Sequence, residues 1–498
     1  MSRLLPPSLP VLATLAWAFL SWPTGPAHLE AQDPKAVVAD HVDTHAARYG
    51  TLAQEVWDLA EVGYQETESA ALLAASLVEA GFEVDMGVGG MPTAFVARWR
   101  QGDGPVIGIL AEYDALPGIT QDRSPERAPL AHRAAGHACG HHLFGAGSVA
   151  AAAATKAWME DSGQPGEIRV YGTPAEEGGA GKVYMVRDGL FADVDIVLHW
   201  HAGDRNEAGA YTTLANKSAT FRFSGVSAHA AASPERGRSA LDGVEAMNHM
   251  VNLMREHVEQ ETRIHYVITN GGAAPNVVPD LAEAYYYVRH PDPAEVASIF
   301  DRIVQAAEGA ALGTETSVEV EVLHGIYNLL PNVALQEAMH ANLERVGGVH
   351  YDERERTFAE ILQRSLPEDA PAIEAAATVE PFSIMDGAGS WSTDVADVSW
   401  VVPTAGLSAA TWVPGTATHS WQAVAAGGTS IGDKGMVVAA KTLAMTAVDL
   451  LTTPTLIERA SAEYRERIPE GWTYEPLLGD REPPLDYRVG SDPTDGGR

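Results

Sequence analysis

The segment Gly136-His-Ala-Cys-Gly-His141 places a thiol and an imidazole two residues apart, with a glycine before and between them. Glycine permits the tight backbone path that lets Cys139 and His141 converge on one cation. No other cysteine is present, so Cys139 has no internal disulfide partner. A free cysteine is more often a small buried hydrophobe, and a lone C-x-H pair is a weak signal. Three further clusters of ligand-type residues add weight. Glu176 and Glu177 follow Thr-Pro-Ala and precede Gly-Gly. One such carboxylate can hold a metal while its neighbour reaches a water beside it. His199 and His201 share a strand face by the period of two, and His419 stands in a distant Gly-Thr-Ala-Thr-His-Ser-Trp loop. Cys, His and Glu together suit zinc or manganese, whereas calcium and magnesium favour all-oxygen shells.

These residues need elements that bring them to one place. Apolar residues recur at three and four from Ala36 to Ala80, which predicts two helices, with a stop at Gly81. Short apolar runs at 94–99, 106–110, 168–171 and 196–200 predict strands, and the Ala-rich stretch 143–159 a helix. Strands alternating with helices make an open α/β sheet, whose sites form beyond the carboxyl ends of strands. Glu112 and Asp114, Glu176 and Glu177, and His199 and His201 all fall at such ends.

A different rhythm runs from 215 to 329. Strands at 218–224, 263–269, 282–288 and 318–323 and helices at 240–258 and 293–311 give the order βαββαβ, a ferredoxin-like unit inserted in the larger domain. The expected organisation is therefore a leader at 1–31, a first catalytic part at 32–214, the insertion at 215–329, a second catalytic part at 330–463, and an irregular tail at 464–498. The Pro- and Ala-rich stretch 364–390 reads as a long loop.

The 498 residues exceed one core, and 33 basic against 67 acidic side chains give a net charge of −34. That surface disfavours nucleic acid and anionic membranes as partners. Val11 to Trp22 is an apolar run of signal-peptide length, preceded by Arg3 and followed by prolines and small residues. Ala27 or Ala31 suits the cleavage position, and an uncleaved anchor is the competing reading. No second apolar stretch is expected to reach spanning length, so the mature protein is expected to be soluble, periplasmic or secreted.

The segments AEYDALPGI, HACGHHLFG, TPAEEGG, SAHAAASPERG, NVVP and THSW, in this order, resemble the dinuclear aminoacylase and carboxypeptidase metallopeptidases. The likeness covers roughly 36–450 and is strongest to the amidohydrolase branch that contains the B subunit of aminobenzoyl-glutamate hydrolase. It implies two divalent metal ions per subunit, with Cys139, His141, Glu177 and His419 as ligands and Glu176 as general acid/base. The remaining ligand is His201 by the Trp-His pattern or His199 by the Leu-His pattern, the former preferred. Glu112 stands where related peptidases outside the branch carry a ligand histidine, and Asp114 would orient the site from behind. The resemblance gives the inserted segment a lid and dimerisation role. It has His229 reach a partner subunit's site to stabilise the oxyanion, and Asn276 and Arg289 contact substrate. A homodimer, or a heteromer with a separate subunit, follows. The substrate class implied is an N-acyl amino acid or small dipeptide-like amide with a free carboxylate, aminobenzoyl-glutamate being the candidate the resemblance carries. His142 departs from the Asp or Asn usual there, and His137 receives no role.

Two rivals are carried. Gly428-Thr-Ser430-Ile-Gly432 fits the G-x-S-x-G pattern of serine esterases, although no strand leads into it. A non-catalytic carboxylate-binding protein of the same fold is the other; the paired glutamates oppose it. Gly181-Lys182 lacks the upstream glycine of a phosphate loop. Met247, Met250 and Met254 read as core or dimer packing.

Overall fold

The computed structural model describes residues 1, 2 and 33–489; the leader and the segment 490–498 lie outside them, and the compact unit below begins at Pro34. Its central sheet has six strands in the order Glu83–Met86, Phe95–Gln101, Gly166–Gly172, Val106–Ala111, Ile196–Gly203, Thr404–Ala410. The last four run parallel, and the first two are antiparallel to their neighbours, so the open α/β sheet is a mixed one. Strand Gly166–Gly172 is buried along its length, as expected for a central strand covered on both faces.

Helices Pro34–Leu59, His141–Ser162 and Ser430–Thr452 pack on one another over this sheet. Alanines 150–154 let the middle helix approach closely, and all five are buried. Ser430–Thr452 corrects the sequence reading, because its length and composition suit a membrane span. It is nevertheless largely buried among its neighbours, which makes it a core helix.

Residues 215–326 build a four-stranded antiparallel sheet in the order Arg263–Asn270, Leu281–His290, Ala215–Ser224, Ser317–Ile326. Ser239 and Asp292 cap helices Ala240–Met254 and Pro293–Thr314 through side-chain oxygens, satisfying amides that a helix start leaves unbonded. The first helix ends at Met254, short of the expected 258. Met247 is buried, and Met250 is exposed beside exposed Leu253.

Two loop expectations change. Within 364–390, Ile384–Ala388 pairs with Ala210–Thr212, and Ile373–Ala377 forms a short 3-10 turn. The last helix continues to Arg467, and the irregular segment after it returns to the body of the protein. Arg481 donates to the carbonyls of Val322 and Leu323, and Gln65 donates to that of Leu485.

Candidate metal centre

Three parallel strands deliver the candidate residues at their carboxyl ends. Glu112 follows Val106–Ala111, Glu176 and Glu177 follow Gly166–Gly172, and His201 closes Ile196–Gly203. Cys139 precedes helix His141–Ser162, whose N-cap is Gly140 with φ +78°. A side chain at Gly140 would place its Cβ 2.4 Å from that of Ala202, so the C-G-H spacing depends on glycine there.

Cys139, His141 and His201 each offer one ligand atom, and these atoms lie within 4.8 Å of one another. The same holds for Cys139, Glu177 and His419, and for His141, Glu176 and Glu177. The expected ligands therefore converge. His199 joins none of these groups; its ring lies over Gly406 of the adjacent strand, where a Cβ would meet its Nε2 at 2.3 Å.

Hydrogen bonds orient the imidazoles. His141 donates Nδ1–H to Asp114 Oδ1 at 2.8 Å, and His201 donates Nδ1–H to the Ala202 carbonyl at 2.7 Å. Each ring thus turns its Nε2 toward the cluster, with His201 Nε2 3.4 Å from Cys139 Sγ. His141 Nε2 and Glu112 Oε2 lie 3.0 Å apart, and both are buried without a hydrogen bond. Burial lowers the His141 imidazole, but Cys139, Glu112 and Asp114 outweigh it and hold it well above its ordinary pKa, and a cation shared with Glu112 would displace that proton. The donor set and these orphaned atoms fit a divalent metal.

The electrostatics divide the two glutamates. Burial pushes Glu176 well above the usual carboxylate range, reinforced by the negative charges of Glu112, Glu177 and Asp394. Burial also pushes Glu177 upward, but the His419 hydrogen bond and the His141 charge hold it below its ordinary value. His419 Nε2 lies 3.0 Å from Glu177 Oε1. Burial lowers His201 to about 4, so it is neutral near pH 7. The turns are strained in a manner typical of sites: Ala175, Ala180 and His419 all have φ of +58°.

Sequence reasoning missed Lys182. Its ammonium is fully buried, 2.7 Å from Glu112 Oε1 and 2.6 Å from Asp394 Oδ1. Asp394 Oδ2 also accepts the Lys182 amide at 2.9 Å. The available signal was a lysine at the head of an apolar segment and an acid, Asp394, immediately before the largely apolar run Val395–Trp400. Also missed was the tail: Tyr487 donates to the Glu177 carbonyl at 3.0 Å, and Arg488 donates to the same oxygen.

Other expected residues stand elsewhere. His229 is exposed in the inserted segment and belongs to no ligand group. Its Nδ1 accepts from the Ala231 and Ala232 amides, both at 3.2 Å, which leaves the proton on Nε2. Asn276 is exposed in the loop bonded to that turn, its carbonyl accepting from the Ala230 amide. Arg289 is partly buried, with its guanidinium 5.5 Å from the centre of the Tyr287 ring. His137 and His142 donate to the carbonyls of Val56 and Gly427, each at 3.0 Å, so neither turns that nitrogen to the cluster. Ser430 donates to Glu355 Oε1 at 2.7 Å, and no histidine accepts from it among the described residues. A helix, Trp421–Gly427, precedes it rather than a strand, and the serine-esterase geometry is missing.

Residues 108–368 match the sequence profile of Peptidase family M20/M25/M40. The chain is 41% identical to the B subunit of p-aminobenzoyl-glutamate hydrolase from Escherichia coli (strain K12), over 86% of this chain and 94% of that protein. It is 30% identical to the Xaa-Arg dipeptidase of Mus musculus, over 88% of this chain and 93% of that one. Its fold resembles that of the Bacillus subtilis YXEP protein, described as a dinuclear metal-binding peptidase of family M20. The TM-score is 0.58 at 17% identity, covering 82% of this chain and 99% of that one.

Proposed function

The chain belongs to Peptidase family M20/M25/M40 and is a metal-dependent amidohydrolase, and from that premise we propose its ligands, base and substrate class. Cys139, His141, Glu177, His201 and His419 hold two divalent ions, zinc or manganese by their donor types. When bound, the metals supply Lewis acidity to water and to the scissile carbonyl.

Glu176 accepts a proton from water as the water oxygen attacks the amide carbon. It then delivers that proton to the leaving nitrogen as the C–N bond breaks, giving a carboxylic acid and an amine. The observation that carries this reading is the carboxylate of Glu176. It stands within 4.8 Å of ligand atoms on His141 and Glu177, and it accepts no hydrogen bond among the described residues. Burial and the charges of Glu112, Glu177 and Asp394 favour its protonated form, the form that delivers a proton to the leaving nitrogen.

His229, with its proton on Nε2, is a donor for the oxyanion. Because it lies outside the ligand groups, it is assigned to a partner subunit's site. Exposed Met250 and Leu253 on one helix, and Val267 and Ile268 on the edge strand Arg263–Asn270, support a homodimer through this segment. The Escherichia coli relative is named as a subunit, so a second kind of chain is the alternative assembly. The substrate is an N-acyl amino acid or dipeptide-like amide, its free carboxylate gripped by Arg289, with Asn276 as a separate substrate contact. The apolar leader at 11–22 supports export to the periplasm or medium.

The test is metal analysis of the purified protein together with a chelator-reversible assay on N-acyl amino acids. Glu176→Gln should keep its metal and lose activity by about 10²–10⁴-fold, the range for a general base. Full turnover in that variant, or activity indifferent to chelation, overturns the assignment.

A further inference from the structure

Resting on the reading of Glu176 as base and Glu177 as ligand, we propose that Tyr487 and Arg488 of the C-terminal segment are positioning residues of the reaction. They fix the backbone that carries both glutamates and so set where the two carboxylates stand in the cluster. Each acts through the Glu177 carbonyl, to which both donate, Tyr487 at 3.0 Å.

The loop 174–179 is held one backbone group at a time. Glu66 Oε1 accepts the Ala175 amide at 2.8 Å, Asp114 Oδ2 accepts the Glu177 amide at 2.9 Å, and the Tyr64 hydroxyl donates to the Gly179 carbonyl at 2.7 Å. Ala175 at φ +58° and Gly178 at φ +95° are left-handed, and strained backbone persists only where its surroundings over-determine it. Asp114 fixes the peptide before the Glu177 Cα, and the tail fixes the one after it. The direction in which the Glu177 side chain leaves the loop follows from the two together. Glu176 stands one peptide earlier, and its carboxylate accepts no hydrogen bond among the described residues, so its aim depends on the backbone beneath it.

The seat for Tyr487 is shaped to it. A Cβ at Gly63 would lie 2.2 Å from the Tyr487 hydroxyl and 2.9 Å from the Ala175 Cβ, so tail and loop meet only across a glycine. The Tyr487 ring stands edge-on to that of Tyr64, with centroids 5.6 Å apart, and the Arg488 guanidinium lies 4.8 Å from its centre. Gln65 donates to the Leu485 carbonyl at 2.7 Å, and Arg187 donates to the Arg481 carbonyl at 2.7 Å, so the approach to the seat is fixed as well. Arg488 Nε is buried without a hydrogen-bond partner. A residue kept for stability alone gains nothing by stranding a donor, whereas one kept to hold a carbonyl in place accounts for it.

The full-length protein is made as Tyr487→Phe, as Arg488→Leu, as the two combined, and as Arg488→Lys. The measurements are kcat and KM on N-acyl amino acids, cobalt(II) titration of the metal-free protein read by visible absorption, and the melting temperature. The double variant should lose about 10²-fold in kcat, the effect of misplacing a reacting group by about 1 Å, with KM within about twofold. Its cobalt affinity should fall by about 10–100-fold, as when the support of a ligand is removed. Each single variant should lose less, because one donor remains on the carbonyl, and Arg488→Lys should recover part of the Arg488→Leu loss. A lower melting temperature with kcat and cobalt affinity of the folded protein unchanged would mean a role in stability alone, and overturns the assignment. If the double variant does not fold, the single variants decide by the same comparison. A wild type that hydrolyses no N-acyl amino acid, with cobalt affinity still dependent on Tyr487 and Arg488, overturns the amide reading and leaves the positioning of Glu177 standing. A wild type that binds no cobalt overturns both.

Discussion

His141 and Asp114 share one hydrogen bond, Nδ1–H to Oδ1 at 2.8 Å, and it determines which imidazole nitrogen is free for a cation. Asp114 uses its other oxygen to accept the Glu177 amide at 2.9 Å, so one buried carboxylate orients two of the candidate ligands. Burial raises Asp114, but the His141 charge and hydrogen bond hold it below the ordinary range. Asp114→Asn should therefore lower metal affinity by about 10–100-fold, the usual loss when a ligand's supporting partner is changed. Metal retained after dialysis against a graded chelator series reads this directly. Unaltered retention would sink the orienting role.

Glu176 and His229 are expected to serve the same reaction from different chains. Glu176→Gln and His229→Ala should each be nearly inactive alone. Co-expressed, they should recover about a quarter of wild-type activity, because half of randomly paired dimers then hold one complete site. Absence of recovery in a verified mixed dimer would place His229 in its own subunit's site or outside the chemistry.

Lys182 bridges Glu112 and Asp394 where water does not reach. Lys182→Met strands two buried carboxylates, and stability should fall by about 3–5 kcal/mol, the cost of breaking a buried ion pair from one side. Adding Asp394→Asn should recover part of the loss. Denaturant unfolding of the single and double variants provides the comparison; a loss of similar size in both would show that packing, not charge, is responsible.

Asp397 is fully buried, accepts from the Tyr474 hydroxyl at 2.7 Å and from the Tyr327 amide at 3.0 Å, and is pushed up by burial to about 7. Its folded pKa lies above the ordinary 3.8, so its contribution to stability is full below about pH 4 and is lost as pH rises through about 7. Asp397→Asn removes that titration. The melting temperature of the variant relative to wild type should rise steadily between pH 4 and 8, by an amount equivalent to a few kcal/mol at most. A difference independent of pH would contradict the assignment.

The α/β class and the strand-end positions of Glu177 and His201 were legible because strand period and strand ends are local signals, while their grouping with Cys139 and His141 as ligands followed from the resemblance. Residues 111–119, 137–145 and 173–179 each carry several informative positions together. Lys182 was illegible for the opposite reason. Its two partners lie 70 residues before it and 212 after it, and a lysine flanked by apolar residues is ambiguous until its surroundings are known. The choice between His199 and His201 was unresolved by a period of two, which puts both on one face; their separation comes from Gly406, whose missing side chain makes room for the His199 ring. The tail read as irregular because it has no periodicity, yet irregular backbone can still donate hydrogen bonds.

That tail fixes an order of events during synthesis. The Glu177 carbonyl receives Tyr487 from 310 residues downstream, so the loop bearing Glu176 and Glu177 stays unfinished while most of the chain is being made. A nascent chain with every candidate ligand already emerged still lacks this clasp.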